Sequence, residues 1–471
     1  MVFSSNIFLF FFLPIFLIAY FVTPQKFRNY TLLLFSLIFY AYGAPDFVFL
    51  LVGECIVNYF IVRGMAKTEK TGTKKWLCAL SVIMALGLLL YFKYANFFME
   101  NLNAILGWMH HEPVGWMKVA LPIGISFFTF QSITYTIDVY RGTTPPSNKL
   151  TDYVLYIMMF PQLIAGPIVN YNSVAAQLVE RISTMEDRVV GFYRFIIGLG
   201  KKVLIANTLA AYADQVFAMN YADLATSTAW IGILSYTFQI YFDFSGYSDM
   251  AIGLGKMMGF KFPENFNDPY TSRSVTEFWK RWHMTLGNFI MNYLYIPLGG
   301  NRKGKGRMYL NLWLCFLLSG LWHGASWTFV LWGAFHGLFI CADKLFLKDL
   351  LKKAGKWPAV ILTFFVVNMG WVLFRVDTAA DAGGFYQALF AFKGGMTQPA
   401  DRLFWFTFGL AVVFSFLTLF KGGQRLQDTI FADHYSKGLS WTMFAICLVL
   451  LILSAGSLCV SDFNPFIYFR F

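Results

Sequence analysis

Six histidines punctuate the chain: His110, His111, His283, His323, His336 and His434. Histidine is the side chain most easily placed to exchange a proton near neutral pH, so these six come first as candidates for general acid or base work. His110 and His111 adjoin Glu112 and Pro113, and His434 adjoins Asp433; all three read as solvated loop residues. His323 differs. It sits in Leu317-Leu318-Ser319-Gly320-Leu321-Trp322-His323-Gly324-Ala325-Ser326-Trp327, deep in an apolar run with glycines on both sides. An ionisable group there is costly and is a functional candidate by default. The structural alternative is a neutral histidine hydrogen-bonded across helices. His336 follows thirteen residues later. On one continuous helix it would lie about 220° around and roughly 20 Å along the axis from His323, outside a shared site. Gly333 and Gly337 around it favour helix packing. His283 is open to two readings, an interfacial residue or the second member of a site.

Other chemistries leave weaker marks. There is no HExxH and no Cys/His cluster, and the carboxylates in apolar context (Glu54, Asp138, Asp243, Asp249) are scattered, so no metal is expected. Asp243 and Asp249 are expected to hold a polar cavity together or to pair with cations from 260–307. Gly299-Gly300-Asn301-Arg302-Lys303-Gly304-Lys305-Gly306 fits seven positions of a P-loop but has Gly306 where Ser or Thr is required, and no strand is expected before it. It reads as a flexible basic turn that could touch lipid headgroups or donor phosphates. No GxSxG elbow is present. The six cysteines lie singly in apolar segments and read as small hydrophobes.

The elements that must position these residues are membrane helices. Of 471 residues, 58% are hydrophobic and only 13% charged, and the mean hydropathy is +0.56. Soluble domains carry roughly 25% charge, so this is an integral, multi-span chain with about 11–13 membrane helices of about 20 residues each. The net charge of +12 falls in short clusters between apolar runs. That is a positive-inside pattern and excludes nucleic-acid binding as the reason for the charge. The first apolar run lacks a signal peptide's basic start and cleavage site and is expected to be a retained span, with the N-terminus outside. Chain breaks at Gly43-Ala44-Pro45-Asp46, Phe160-Pro161 and Gly166-Pro167 predict a bundle of broken helices lining a polar pocket or tunnel. Run 308–341 would measure about 51 Å as one helix, so it must divide around Trp322-His323-Gly324. The long polar stretch 260–307 opens with Pro- and Asn-rich turns. Val275, Phe278, Trp279, Trp282, Leu286, Phe289 and Tyr293 then predict one amphipathic helix at the membrane interface. The whole, 1–471, reads as a single all-α polytopic domain with 260–307 as a cytoplasmic or interfacial insertion.

Five motifs together resemble those of the membrane-bound O-acyltransferases. They are Leu121-Pro122-Ile123-Gly124-Ile125-Ser126-Phe127, Asp243-Phe244-Ser245-Gly246-Tyr247-Ser248-Asp249, Phe278-Trp279-Lys280-Arg281-Trp282-His283-Met284-Thr285-Leu286, Tyr295-Ile296-Pro297-Leu298-Gly299-Gly300-Asn301 and Ser319-Gly320-Leu321-Trp322-His323-Gly324. They stand in the same order as in that family. The likeness runs from Met1-Val2-Phe3-Ser4-Ser5 to Phe466-Ile467-Tyr468-Phe469-Arg470-Phe471. It is similar to the bacterial alginate O-acetylase branch and, more distantly, to the D-alanyl transfer proteins of teichoic acid modification. The resemblance implies helices ringing a tunnel across a bacterial cytoplasmic (inner) membrane, with His323 as the central catalytic histidine and His283 as its second motif histidine. It also implies transfer of acetyl, from acetyl-CoA as donor, to an extracytoplasmic acetyltransferase partner or toward a polysaccharide hydroxyl.

The residues support the pieces independently. Acyl transfer to a hydroxyl needs a base, and a neutral buried histidine serves at neutral pH. The oxyanion needs donors, for which the backbone of the Trp322–Gly324 break and His283 are candidates. Arg273, Lys280, Arg281, Arg302, Lys303 and Lys305 could hold donor phosphates. The competing classes are a proton-coupled transporter or flippase using His323 and Asp243, and an envelope scaffold in which His323 is replaceable. Within the enzyme class, the acceptor could also be teichoic acid, peptidoglycan, lipid or protein. A transporter of this size would be expected to show two related halves, and no such symmetry is visible.

Overall fold

Backbone amides that meet lipid must bond within their own segment, and the chain answers with helices. The computed structural model describes residues 1–460 and 463–465; the C-terminal Phe466–Phe471 part of the family likeness lies outside them. Among the described residues the β structure is one isolated bridge, Leu224 to Met396. By length and composition six helices can cross a membrane: Pro45–Lys67, Thr71–Trp108, Trp327–Ala354, Lys356–Arg375, Arg402–Leu419 and Lys437–Val460. Contacts gather into two compact units, Met1–Ser183 with Met258–Phe262, and Thr184–Met257 with the chain from Pro263 onward.

The first unit packs α1 (Leu13–Val22), α2 (Arg28–Gly43), α3 (Val48–Lys67), α4 (Thr71–Leu89), α5 (Ile125–Arg141) and α6 (Leu150–Met158). The expected breaks are present: α2 stops at Gly43 before Pro45, and α6 stops at Met158, one residue short of Phe160-Pro161. Its interior is partly aromatic. Phe3, Phe8, Phe12, Phe16 and Phe39 gather around Phe160 with ring centroids 5.0–6.2 Å from it. A buried polar chain also runs through it. Asn58 donates to Tyr153, and Ser81 bonds both Asn58 and Thr136.

The second unit carries both motif histidines. It is built on α7 (Met185–Gly200) and α8 (Thr226–Met257), with α9 (Val275–Arg281), α10 (Met284–Ile290), α11 (Lys305–His323), α12 (Trp327–Ala342) and α13 (Lys356–Arg375) around them. The α7–α8 crossing is set by glycine. Gly191 and Gly198, seven residues apart on α7, meet Gly253 and Gly246, seven apart on α8. A Cβ on Gly246 would lie 2.7 Å from the Gly198 carbonyl oxygen, and one on Gly191 would lie 2.6 Å from that of Gly253. The helices therefore touch backbone to backbone, the close approach that small residues permit.

That contact brings cations to the carboxylates of α8. Lys202 pairs with Asp243 at 2.8 Å, both 2% exposed, while Arg194 and Lys201 hold Asp249 at 2.9 and 2.7 Å. The sequence alone points to 260–307 for these partners. They come instead from 194–202, because the lysines inside an apolar run fulfil a buried charge need rather than mark a cytoplasmic face; Glu264 of the insertion joins through Arg194. The single interfacial helix expected over 275–293 is also corrected. Trp282 and His283 leave helical geometry, splitting the stretch into α9 and α10. The stripe residues Val275, Phe278, Trp282 and Leu286 are buried against protein, not left for headgroups; a stripe of aromatics at helical spacing suits either surround.

Replacing Gly246 by leucine is expected to lower the thermal unfolding midpoint in detergent, since forced overpacking costs about 1–3 kcal/mol. Gly53→Ala is the control and is expected to leave it in place, because a Cβ there meets nothing within 4 Å.

Candidate active site

Three glycines make the turn that presents His323. The helix α11 ends on this residue, and Gly324 is extended (φ −157°, ψ 145°). A Cβ on Gly324 would sit 2.1 Å from the Phe329 ring, and one on Gly320 would sit 2.2 Å from the Phe329 carbonyl oxygen. Gly333 on the returning helix is equally tight against Phe316. The run 308–341 thus folds back as α11 and α12, as its length requires. His323 is left 7% exposed, with the rings of Trp322, Trp332 and Phe374 at 4.8, 5.2 and 5.2 Å.

His283 arrives from another direction. It lies between α9 and α10 with left-handed backbone (φ 45°, ψ 54°), a conformation uncommon outside glycine and one that clusters at functional sites. Its ring is buried against the edge of Phe244 at 4.7 Å, and its centroid is 6.5 Å from that of His323. The two imidazoles are thus neighbours inside the protein. Asn265 supports it: Oδ1 lies 3.1 Å from His283 Nδ1 and accepts from the Thr285 amide at 3.2 Å and from its hydroxyl at 2.9 Å. The Asn265 amide donates to Ser248 Oγ at 3.3 Å. Asn265, Thr285 and Ser248 were not singled out from sequence. The one available signal was the Asn- and Pro-rich turn at 263–269.

His336 corrects the helical-wheel argument. It lies one tryptophan ring behind His323, with Trp332 5.2 Å from one and 5.0 Å from the other. The distance of roughly 20 Å along one axis does not apply once the run folds back. Its Nδ1 accepts from Trp279 Nε1 at 3.3 Å, and a Cβ on Gly370 would lie 2.4 Å from its Nε2. It is fully buried and wedges helices together. His110, His111 and His434 are exposed, as expected of loop residues. Among the described residues no group of three or more His, Cys, Asp or Glu could hold a metal ion.

The six basic candidates separate. Arg273 and Arg281, with Lys356, line a polar cavity of about 410 Å³ that also includes Asn267, Asp268 and Thr271. Arg281 is already bonded to Glu277 at 2.6 Å. Lys280, Arg302, Lys303 and Lys305 are exposed and line neither this cavity nor its neighbour. That neighbour, about 420 Å³, shares Asn267 and Asp268 and reaches Asn265 and Met284, the residues bonded to and following His283. The basic stretch 299–306 is a turn through Lys303 that leads into α11 at Lys305, and a π-helical segment, Met291–Tyr295, precedes it where a P-loop would need a strand. The backbone of the Trp322–Gly324 break is not offered to an oxyanion, because Gly324 N–H bonds the Gly320 carbonyl and the two residues before it are helical.

A family model for the membrane-bound O-acyltransferases matches residues 146–372, which include both histidines and all six basic candidates. Over the full length of both chains the protein is 44% identical to the probable alginate O-acetylase of Pseudomonas putida. It is 38% identical to the peptidoglycan O-acetyltransferase of Helicobacter pylori, over 81% of this chain and 78% of that one. It is 27% identical to the teichoic acid D-alanyltransferase of Bacillus subtilis, over 56% and 70%.

Burial pushes the His283 imidazole down to about 3. The folded protein keeps this ring neutral where the unfolded chain, at about 6.5, takes up a proton. Stability from this group is therefore full above pH 6.5 and is lost as pH falls toward 3. His283→Gln is expected to flatten the fall in unfolding midpoint between pH 7 and 5, measured in detergent against wild type. From the matched motifs and the full-length identities, the chain belongs to the membrane-bound O-acyltransferase family.

Proposed function

We propose that this multi-pass membrane protein is an O-acetyltransferase that takes acetyl from acetyl-CoA and delivers it across a bacterial cytoplasmic membrane for O-acetylation of a cell-surface polysaccharide. The observation that carries the reading is the convergence of His323 and His283, buried with ring centroids 6.5 Å apart, in a chain alignable end to end with a probable alginate O-acetylase. His323 serves as base. As the acceptor oxygen bonds the acetyl carbonyl carbon, its proton passes to the imidazole; the carbon–sulfur bond then breaks and the thiolate leaves. The aromatic walls around His323 exclude water that would otherwise take the acetyl group.

Of the six basic candidates, Arg273 and Arg281 are assigned to the donor's phosphates, since they share a cavity with Lys356. A guanidinium matches phosphate geometry in a way an isolated exposed lysine does not; Arg302 carries the same group but lies outside that cavity. Lys280, Arg302, Lys303 and Lys305 are assigned to lipid headgroups and topology. The first acceptor is a sugar hydroxyl or a residue of an extracytoplasmic partner.

The test supplies radiolabelled acetyl-CoA to membranes holding wild type, His323→Ala or neither, with native polymer and outer partner present and expression matched. Wild type is expected to label polymer or partner, and His323→Ala to lose at least about 100-fold, the lower end of what a positioned base supplies. Equal labelling would make His323 structural. Arg273→Ala and Arg281→Ala are each expected to raise the acetyl-CoA KM by about tenfold with kcat little changed, as loss of a charged hydrogen bond implies. The same change in Lys303 is expected to leave KM unaltered.

A further inference from the structure

The hydrogen bonds around Asn265 decide something the ring distance does not. An amide side chain can be turned either way about its last bond, but here the Thr285 backbone N–H, which can only donate, lies 3.2 Å from the Asn265 oxygen. The Thr285 hydroxyl lies 2.9 Å from the same atom, and the Asn265 nitrogen faces Ser248 Oγ. The atom that meets His283 Nδ1 at 3.1 Å is therefore an acceptor oxygen. A neutral imidazole carries one N–H and one lone pair, so the proton must be on Nδ1 and the lone pair on Nε2. That Nε2 is buried and has no hydrogen-bond partner among the described residues, a costly state for a polar atom unless something is meant to fill it.

From this we infer that Asn265 is a positioning residue that locks His283 as the Nδ1–H tautomer, so that Nε2 accepts a hydrogen bond from an O–H group of the acyl acceptor. The inference rests on the two-histidine reading above and alters one part of it. A neutral His283 held this way has no proton on Nε2 to give, so that nitrogen cannot be the oxyanion donor that the sequence left open. It holds the acceptor's hydroxyl group beside His323 instead. The backbone agrees: the strained left-handed conformation of His283 and the bond from Met284 N–H to the Asn265 carbonyl at 2.9 Å tie the two residues together at both main chain and side chain. The rings that face His283 are Phe244, Trp322 and His323, and Asn265 faces its Nδ1; of these His323 is the one that titrates.

The experiment uses the full chain in lipid nanodiscs, with Asn265→Ala and Asn265→Asp compared with wild type. An aspartate keeps the acceptor oxygens for Nδ1–H and for Thr285, while alanine removes them. Asn265→Ala is expected to lower kcat roughly 10- to 100-fold, part of the about 10²–10⁴-fold that a positioned proton-transfer group supplies, with the acetyl-CoA KM unchanged. Asn265→Asp is expected to recover most of that kcat at pH 8 and to lose rate at a higher pH than wild type on the acid side, because the added carboxylate favours the charged imidazole. Nitrogen-15 spectra of histidine-labelled protein, with His283 assigned by its absence from His283→Gln, are expected to show a pyridine-type Nε2 and a pyrrole-type Nδ1 in wild type and a mixture in Asn265→Ala. A pyrrole-type Nε2 in wild type would overturn the inference. So would wild-type kcat in Asn265→Ala, or an Asn265→Asp as slow as alanine with no change in pH profile. If wild type transfers no acetyl from acetyl-CoA, the donor reading fails, and the nitrogen signals of wild type still decide the tautomer. They also decide it if Asn265→Ala does not fold.

Discussion

The structure of the second unit depends on neutralising the carboxylates of one buried helix. Asp243 and Asp249 sit on α8, almost all of which is inside the protein. A carboxylate taken from water costs several kcal/mol unless paired and hydrogen-bonded. The pairing groups, Arg194 within α7 and Lys201 and Lys202 just beyond its end, reach α8 because the two backbones touch at Gly191–Gly253 and Gly198–Gly246. Any side chain at those crossings would push the cations away from their partners. The glycine contact and the charge pairing are thus one constraint seen from two sides.

The same helix also sets the site. Phe244, next to Asp243, packs its ring on His283, and Ser248, next to Asp249, takes the bond from Asn265. Residues 243–249 therefore alternate between holding charge on the α7 side and holding the histidine shell on the other. A motif that looks like two stray acids is about two turns of helix serving both faces. The carboxylates fix where α8 lies, and its lying there fixes where Phe244 and Ser248 can reach.

How much of this was legible in the sequence depended on range. Breaks set by local chemistry were legible. The stop at Gly43, the break before Phe160-Pro161 and the fold-back after His323 follow from proline, glycine and the length of an apolar run. Long-range choices were not. The aromatic spacing over 275–293 is satisfied equally by a membrane interface and by the packing of Trp282 and Phe278 against Trp371 and Tyr270. The partner of Asp243, Lys202, lay far upstream beyond the end of a neighbouring helix, which no periodicity reports. His323 could be singled out because its surroundings in sequence were costly for it. Asn265 could not, because asparagine beside proline is what any turn contains.

His283 and His336 show how two equally buried histidines are left in opposite protonation patterns by their neighbours. Both rings are almost completely enclosed, both pack edge-on against aromatics, and both lie within one ring's breadth of the His323 neighbourhood. What separates them is the atom each ring meets. Trp279 gives its N–H to Nδ1 of His336, which uses up that lone pair and leaves an N–H wedged against Gly370. Asn265 offers His283 an oxygen, which uses up the N–H and leaves a lone pair. Each ring keeps a buried Nε2 with no hydrogen-bond partner among the described residues, a donor in His336 and an acceptor in His283. Which nitrogen of each buried histidine carries the proton is therefore set one residue out from the ring, by a tryptophan in one case and an asparagine in the other.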